Sequence, residues 1–320
     1  INEGYKVTIY YLKTDHNLFP INKNLKQHFI YSKKNGLGRV YDIFKLCLQV
    51  ARNREQNLII FSDPIISIFS ILFFKAKTVR YVQGNDRDLF DQNAESNSFI
   101  NFIYKILFNI SKKFKYHKII FNSEYSRESY TGSSNNRKYP IIYPFVFNSP
   151  RKNPKEIPRK KIVSVLSNQP RKGLDKLKRI INSGLFENFE FSIISQDEFQ
   201  DDKIKGYQPK NDHEYLEQMR ENSFYFNFSD FEGFGLPPLE AMSLGLVIFT
   251  FPNEGIKSYC NKKNSFFSRF DDYSKLKLDL DSLISNPDLY RNFSLNSLKT
   301  AELFSEERFK NKFFKSINEI

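Results

Sequence analysis

The segment 230–242, Asp-Phe-Glu-Gly-Phe-Gly-Leu-Pro-Pro-Leu-Glu-Ala-Met, holds the densest set of groups that could do chemistry. Gly233 and Gly235 let the backbone approach a ligand closely, and a proline fits the first turn of a helix whose free N–H groups attract anions. Two carboxylates bracket this loop, Glu232 before it and Glu240 one turn into the helix. Because carboxylates repel phosphate, we expect them to hold sugar hydroxyls. The spacing alone fits equally well an ordinary glycine turn before a helix.

The pattern as a whole resembles the signature of glycosyltransferase family 4, whose members are retaining enzymes of the GT-B fold. The resemblance runs from Glu232 through seven residues to Glu240, and continues through Gly245 into the strand 247–250. A second stretch, Arg171-Lys172-Gly173-Leu174 after the strand 161–166, is similar to the basic loop with which that family holds the donor diphosphate.

The resemblance implies roles for particular residues. Glu232 is expected beside the donor sugar, Glu240 on the nucleotide ribose, and Lys172 and Arg171 on the phosphates. The backbone amides expected to meet the diphosphate and nucleotide are those of Gly233, Phe234, Gly235 and Leu236. The catalytic residues predicted on this basis are Glu232, Lys172 and Arg171.

Two departures from the family pattern bear on these roles. Leu166 stands where the family often has an arginine, and Arg171 is the cation that could substitute for it. Residues 252–255, Pro-Asn-Glu-Gly, replace the Gly-Gly turn that commonly follows the strand at 247–250.

Neither a metal nor a cofactor is predicted, because preorganised cations and helix amides can stabilise a departing diphosphate without Mg²⁺. Asp86 and Asp88 form an Asp-x-Asp motif, which another glycosyltransferase fold uses to hold a metal–diphosphate. This short motif has three interpretations: a surface loop, a role at the acceptor site, or metal binding.

Short apolar runs alternate with stretches of helical period, which is typical of βα units and parallel sheets. Strands are predicted at 6–11, 57–62, 78–82, 118–121, 140–143, 161–166, 189–194, 224–228 and 247–250. Helices are predicted at 38–54, 64–74, 99–113, 123–130, 174–183, 213–222 and 237–244, and in pieces after about residue 273 that Pro287 and Ser305 separate.

The segment 148–158, with three prolines and several charges, has the composition of a linker. The predicted fold class is therefore α/β, with two doubly wound Rossmann-like domains facing each other across a cleft as in GT-B. Residues 1–148 form the predicted acceptor-side domain and 149–304 the donor domain, with helix 305–320 packing back on the first. Because the chain begins Ile-Asn-Glu-Gly without a Met, we expect a first strand and loop to be missing.

The chain has 49 Lys and Arg against 36 Asp and Glu, and this net charge of +13 favours polyanionic partners. Cys47 and Cys260 are far apart and show no metal-ligand spacing, which favours a reducing compartment. Without a signal peptide or a run of about 18 apolar residues, a cytoplasmic location is expected. The helix predicted at 99–113, apolar with a basic end, suits the inner face of an anionic membrane, although such a helix more often packs on its sheet.

The sequence thus predicts a retaining glycosyltransferase that moves a sugar from a nucleotide-diphosphate sugar to a glycan or lipid-linked glycan, in bacterial surface polysaccharide synthesis. Three alternatives remain open: a GT-B epimerase or hydrolase, a binder of anionic polymers, and a catalytically silent partner subunit. No nucleic-acid partner is predicted, because no RNA- or DNA-binding motif is found.

Overall fold

The computed structural model describes residues 6–13, 26–32, 37–52, 56–73, 75–84, 102, 106, 109, 113, 115–133, 138–148, 150–199 and 201–320. The chain folds into two compact units, Ile1–Ile142 with Phe314–Ile320, and Tyr143–Phe313. The sequence places the boundaries at 148/149 and 304/305, whereas this division places them at 142/143 and 313/314.

The first unit contains two parallel sheets in its described part. Strands β1 (Thr8–Lys13) and β2 (Lys26–Tyr31) form one, and β3 (Leu58–Phe61), β4 (Lys77–Val82) and β5 (Lys118–Phe121) form the other. The helices whose bounds are described are α1 (Leu37–Arg52), α2 (Pro64–Ser67), which continues as a 3₁₀ helix over Ile68–Phe73, and α3 (Glu124–Thr131). Phe102, Ile106 and Asn109 are also helical. A core packs α1 on this region through Ile43, Cys47, Val50, Phe61 and Phe73.

The second unit is built on one six-stranded parallel sheet. Its strands are β6 (Lys161–Val165), β7 (Glu190–Ile194), β8 (Ile204–Tyr207), β9 (Phe224–Asn227), β10 (Val247–Thr250) and β11 (Ser265–Phe267). Their order across the sheet is β11-β10-β9-β6-β7-β8. All residues of β9 and β10 are buried, as expected for central parallel strands covered on both faces.

Helices cover both faces of this sheet. They are α4 (Leu174–Asn182), α5 (Asp212–Arg220), α6 (Leu236–Ser243), α7 (Tyr273–Ser285) and α8 (Pro287–Glu302). A last helix, α9 (Glu306–Asn318), begins in this unit and ends in the first. One apolar cluster packs Leu177, Leu280 and Tyr290 on the sheet, and another packs Leu216, Leu239 and Met242 on it. The predicted α/β fold with parallel sheets is confirmed.

Several predicted elements differ from the observed ones at sheet edges. Strands β2, β8 and β11 are edge strands that the apolar pattern does not predict, because edge strands need less continuous apolar sequence than central ones. The strand predicted at 140–143 is reduced to a single bridge between Ile141 and Phe121. Prolines at positions 140 and 144 lack the N–H groups that a longer ladder requires.

Within the described residues, no helix is both long enough and apolar enough to cross a bilayer. Of the predicted interfacial helix 99–113, the structure describes only Phe102, Ile106, Asn109 and Lys113, and the side chains of Phe102 and Ile106 are exposed.

Candidate functional site

The strand order of the second unit marks one place for a ligand. The chain winds outward from β6 through β7 to β8 and then returns to β9 beside β6, so the order reverses between β6 and β9. Open parallel sheets bind ligands at this switch point, beyond the carboxyl ends of the strands. The β6 loop (166–173) and the β9 loop (228–235) begin there.

Gly173 fixes the end of the β6 loop against the β9 loop. Its φ of +78° lies in the left-handed region, and a Cβ at this position would lie 2.6 Å from Phe228 Cβ and 2.8 Å from the Phe228 carbonyl oxygen. Only glycine satisfies both conditions. The 3₁₀ turn Pro170–Lys172 just before it is thereby held beside the β9 loop.

Hydrogen bonds join the two loops along their length. The Asp230 N–H donates to the Arg171 carbonyl over 3.0 Å, and Lys176 Nζ donates to the Phe228 carbonyl over 3.1 Å and to Asp230. Lys176, in the first turn of α4, therefore holds the β9 loop in place through these hydrogen bonds.

Lys172 and Glu232, predicted on separate segments, form an ion pair. Lys172 Nζ lies 2.6 Å from Glu232 Oε1, and the two side chains are only 20% and 13% exposed. Partial burial strengthens such a pair relative to one in water. A cation and a carboxylate thus lie in contact at the switch point, where a diphosphate and a sugar would need them.

Arg171 lies on the outer side of the same loop. Its guanidinium stands 5.2 Å from the centre of the Phe231 ring, and its Nε donates to Gln169 Oε1 over 3.0 Å. Leu166, at the position where the family pattern has an arginine, is buried in the apolar core. Arg171 therefore stays the second cation of the β6 loop, stacked on an aromatic ring rather than paired with an acid.

The glycine loop between Glu232 and α6 presents backbone rather than side chains. The Phe234 ring is 2% exposed and packs on Tyr143, Tyr259 and Phe304, so only its main chain is available to a ligand. Within the described chain, neither Phe234 nor Gly235 donates its N–H to another residue. These amides can meet an anion.

The helix itself supplies fewer free amides than the sequence pattern predicts. Helix α6 begins at Leu236, so Pro237 and Pro238 occupy the next two positions. Proline has no N–H, and the first turn contributes only the Leu236 amide. The loop, not the helix end, is the main source of donors.

The β10 loop (251–258) packs against the glycine loop. Asn253 donates from its side-chain nitrogen to the Ser229 carbonyl over 3.2 Å and accepts from the Ile256 N–H over 3.3 Å. A Cβ on Gly255 would overlap the Glu232 carbonyl oxygen, so glycine is needed for this approach. Gly235, with φ +83°, is equally confined, because a Cβ there would lie 2.9 Å from both Ile256 Cγ2 and the Tyr259 hydroxyl.

Glu240 lies on α6 inside the protein and is 8% exposed. It accepts a hydrogen bond of 2.6 Å from the Tyr215 hydroxyl of α5. Burial raises the pKa of Glu240 from 4.5 to about 7, against the opposing effect of the Tyr215 hydrogen bond. This carboxyl is therefore partly protonated near neutral pH, and can either accept or donate a hydrogen bond.

Three buried tyrosines surround the two glutamates, and the sequence analysis did not single out any of them. Burial is the main cause that raises the pKa values of Tyr215, Tyr225 and Tyr259, and the charge of Glu240 adds to it for each. The Tyr259 hydroxyl donates to the Gly235 carbonyl. All three hydroxyls are therefore neutral, and that of Tyr259 supports the glycine loop.

The structure does not place the Asp-x-Asp motif at this site, and it bears on metal binding only for the described residues. Asp86 and Asp88 lie outside the described residues. In the described part of the chain, no group of three His, Cys, Asp or Glu side chains is arranged to hold a metal ion.

The segment that brings the cations, amides and carboxyls to the switch point of the second unit is also similar in sequence to a known protein family. Residues 147–300 match the family model of Glycosyl transferases group 1. The match covers the β6, β9 and β10 loops together with α6. Among curated protein sequences, none is similar enough to this chain to count as a match.

Solved structures extend the likeness over nearly the whole chain. Sucrose-phosphate synthase from Thermosynechococcus elongatus superposes with a TM-score of 0.74 at 14% identity, covering 99% of this chain and 90% of that one. Anabaena HepE in complex with UDP-glucose gives 0.71 at 13% identity, covering 98% and 100%. WaaG, a glycosyltransferase involved in lipopolysaccharide biosynthesis, gives 0.69 at 14% identity, covering 94% and 88%. At these identities the likeness shows the fold, which is GT-B.

Proposed function

We propose that this protein is a retaining, metal-independent hexosyltransferase that uses a nucleotide-diphosphate sugar as donor. The observation that carries the proposal is the Lys172–Glu232 ion pair of 2.6 Å at the switch point, beside the amides of Phe234 and Gly235. The match of residues 147–300 to group 1 glycosyltransferases supports it. The Glu232-x7-Glu240 pattern is our reason for placing the chain with family 4 in particular.

In this proposal the donor diphosphate lies across the two loops. Lys172 and Arg171 supply positive charge, and the backbone from Gly233 to Leu236 supplies hydrogen-bond donors. Glu232 then holds hydroxyls of the donor sugar. UDP-glucose bound to Anabaena HepE, a protein of the same fold, supports a donor of this class.

Glu240 is assigned to the ribose of the nucleotide. A carboxylate oxygen accepts from sugar hydroxyls, and one of the two Glu240 oxygens is already engaged by Tyr215. We expect the ribose to take the remaining oxygen, which favours the ionised form of Glu240.

The chemical step breaks the bond between the anomeric carbon and a diphosphate oxygen, and forms a bond from an acceptor hydroxyl oxygen to the same carbon, while the proton of that hydroxyl passes to the departing diphosphate. Negative charge develops on the departing diphosphate. Fixed cations and amides stabilise that charge without reorganising, which is the largest single contribution in many enzymes. Lys172 is placed to do this once the diphosphate draws it away from Glu232.

The acceptor we propose is a glycan or a lipid-linked glycan, handled in the cytoplasm at the inner face of the cell membrane during surface polysaccharide synthesis. The net charge of +13 and the exposed Phe102 and Ile106 support contact with an anionic membrane. The similar fold of WaaG, a glycosyltransferase involved in lipopolysaccharide biosynthesis, supports an acceptor of this class.

The direct test is thermal stabilisation by UDP, dTDP, GDP and ADP, followed by transfer assays with the matching sugar nucleotides in EDTA. A ligand that binds the native state raises the melting temperature according to its concentration relative to Kd. Lys172→Ala should abolish most of the shift, whereas Lys262→Ala, an exposed lysine outside the three loops, should not. No shift with any diphosphate, or equal shifts in both variants, would overturn the proposal. Rapid donor hydrolysis without acceptor would instead identify a hydrolase.

A further inference from the structure

A charged cavity of about 460 Å³ lies at the opposite end of the second unit's sheet from the Lys172 site. It is lined by the segment 151–159, the end of α5 and Ser223, which directly precedes β9. The Arg159 N–H donates to Ser223 Oγ over 2.8 Å. Because β6 and β9 are parallel, this is their amino end, roughly 15 Å of strand away from the β6 and β9 loops.

The walls of the cavity are fixed by hydrogen bonds. The segment that the sequence predicts as a linker is anchored by the Arg151 N–H to the Ser243 carbonyl and by the Lys155 N–H to Ser294 Oγ, both over 2.9 Å. Lys155 Nζ also donates to the carbonyl of Arg220 over 2.7 Å and to that of Asn222. The cavity is therefore preformed.

Its charges are unbalanced. The charged side chains that line it are Arg151, Lys155, Arg159, Arg220, Glu156 and Glu221. Arg220 is paired at 2.5 Å with Glu217. In the described part of the chain, no side chain forms an ion pair or a hydrogen bond with the guanidinium of Arg151 or Arg159, and neither Glu156 nor Glu221 is in ion-pair distance of a cation.

The positive charges around the cavity affect the pKa of Lys155. Its pKa is lowered from 10.5 to about 7, first by burial and then by the nearby charges of Arg151, Arg159 and Arg220. Like charges gathered around a partly buried amine destabilise one another. An anion in the cavity would remove that cost.

We propose that this cavity binds the phosphate group of an organic phosphate, supplied either as a soluble phosphate ester or as the headgroup of an anionic lipid. The guanidinium groups of Arg151 and Arg159, which have no ion-pair or hydrogen-bond partner among the described side chains, suit phosphate oxygens, because the arginine fork matches them with two parallel hydrogen bonds. The volume falls within the range of small-molecule sites. Ile157, 77% exposed at the rim, offers an apolar contact to the carbon part of the ligand.

The test is calorimetric titration with glycerol 3-phosphate, run beside flotation with phosphatidylcholine vesicles that contain or lack phosphatidylglycerol. Arg151→Gln with Arg159→Gln should weaken binding by at least about tenfold in whichever arm the native protein binds. The control variant, Arg269→Gln with Arg308→Gln, removes the same number of positive charges from residues that do not line the cavity, and should retain binding. Binding in the soluble arm identifies a phosphate ester as sufficient, and binding only to phosphatidylglycerol vesicles identifies the headgroup.

A second measurement does not depend on the variants folding. In the native protein, NMR of labelled lysine should show the Lys155 pKa rising when glycerol 3-phosphate or phosphatidylglycerol is added. The proposal is overturned if the native protein binds neither probe, or if both double variants lose binding equally, since net charge would then explain the effect. Nucleotide binding at Lys172 should be the same in the native protein and in both double variants. A failure of the phosphate proposal can therefore be distinguished from a failure of the proposed function.

Discussion

The Tyr215 hydroxyl donates a 2.6 Å hydrogen bond to Glu240 inside the second unit, joining α5 to α6 directly behind the glycine loop. Burial opposes ionisation of this carboxyl, and the hydrogen bond favours it. Burial has the larger effect, so the pKa rises from 4.5 to about 7. A group proposed to bind ribose therefore changes charge within the physiological pH range.

Replacing Glu240 with Gln should make the unfolding free energy less dependent on pH. In the native protein the raised pKa means that the contribution of Glu240 is fully present below about pH 4.5 and is lost as the pH rises through 7. The loss amounts to at most about 3 kcal/mol. Urea unfolding at pH 5 and pH 8 should show this loss in the native protein and in Glu187→Gln, an exposed control, but not in Glu240→Gln. Equal pH dependence in all three would contradict the assignment.

Nucleotide binding should release a proton from Glu240 near pH 7 if the ribose takes the ionised carboxylate. Titration with UDP in buffers of different ionisation enthalpy should detect this release, and Glu240→Gln should lack it. Tyr215→Phe removes the hydrogen bond that lowers the Glu240 pKa, so the pKa should rise above 7 and UDP affinity at pH 7 should fall, recovering at higher pH. An affinity loss in Tyr215→Phe that persists at every pH would indicate a structural effect only.

The central elements of the second unit were predictable because their signals are local. Strand 247–250 was predicted with its observed bounds, and β6 and β9 to within one residue at their ends. Each is a short apolar run closed by turn residues, and burial on both faces leaves no alternative register for such runs. The resemblance assigns Lys172 and Glu232 separate roles toward one donor, and the sheet order supplies the physical reason why they lie in contact.

The parts that were not predictable depend on contacts distant in sequence. Tyr215 meets Glu240 across 25 residues and two helices, and nothing in either local pattern marks the pair. The segment 148–158 has linker composition, yet Ser243 and Ser294 anchor it to the second unit. A proline in the first turn predicts a helix end with free amides, but the position of the first helical residue decides how many amides remain, and two prolines follow Leu236.

Gly173→Ala should disturb the β6 loop, because the new Cβ would meet Phe228 at 2.6 Å and the backbone has φ +78°. The left-handed conformation and the overlap together should cost roughly 2–4 kcal/mol of unfolding free energy. Gly184→Ala is a matched control, since it has φ +74° and its nearest neighbouring atom is 4.0 Å away. It should cost only about 1 kcal/mol. Chemical denaturation checks both values, and UDP titration should show weakened binding for Gly173→Ala alone.

The ion pair between Lys172 and Glu232 makes opposite predictions for binding and for transfer. In the ligand-free protein Glu232 occupies Lys172 at 2.6 Å, so an incoming diphosphate must displace a carboxylate of like charge. Glu232→Gln removes that competitor and should tighten UDP binding by roughly threefold to tenfold, while sugar transfer slows because the contact to the donor sugar is lost. Lys172→Met should weaken UDP binding, and a double-mutant cycle should give a coupling of about 1–2 kcal/mol in stability. Asp230→Asn removes a neighbouring carboxylate that pairs with Lys176 instead, and should leave transfer largely intact. If Asp230→Asn tightens UDP binding as much as Glu232→Gln does, the effect comes from net charge, and the direct competition for Lys172 is refuted.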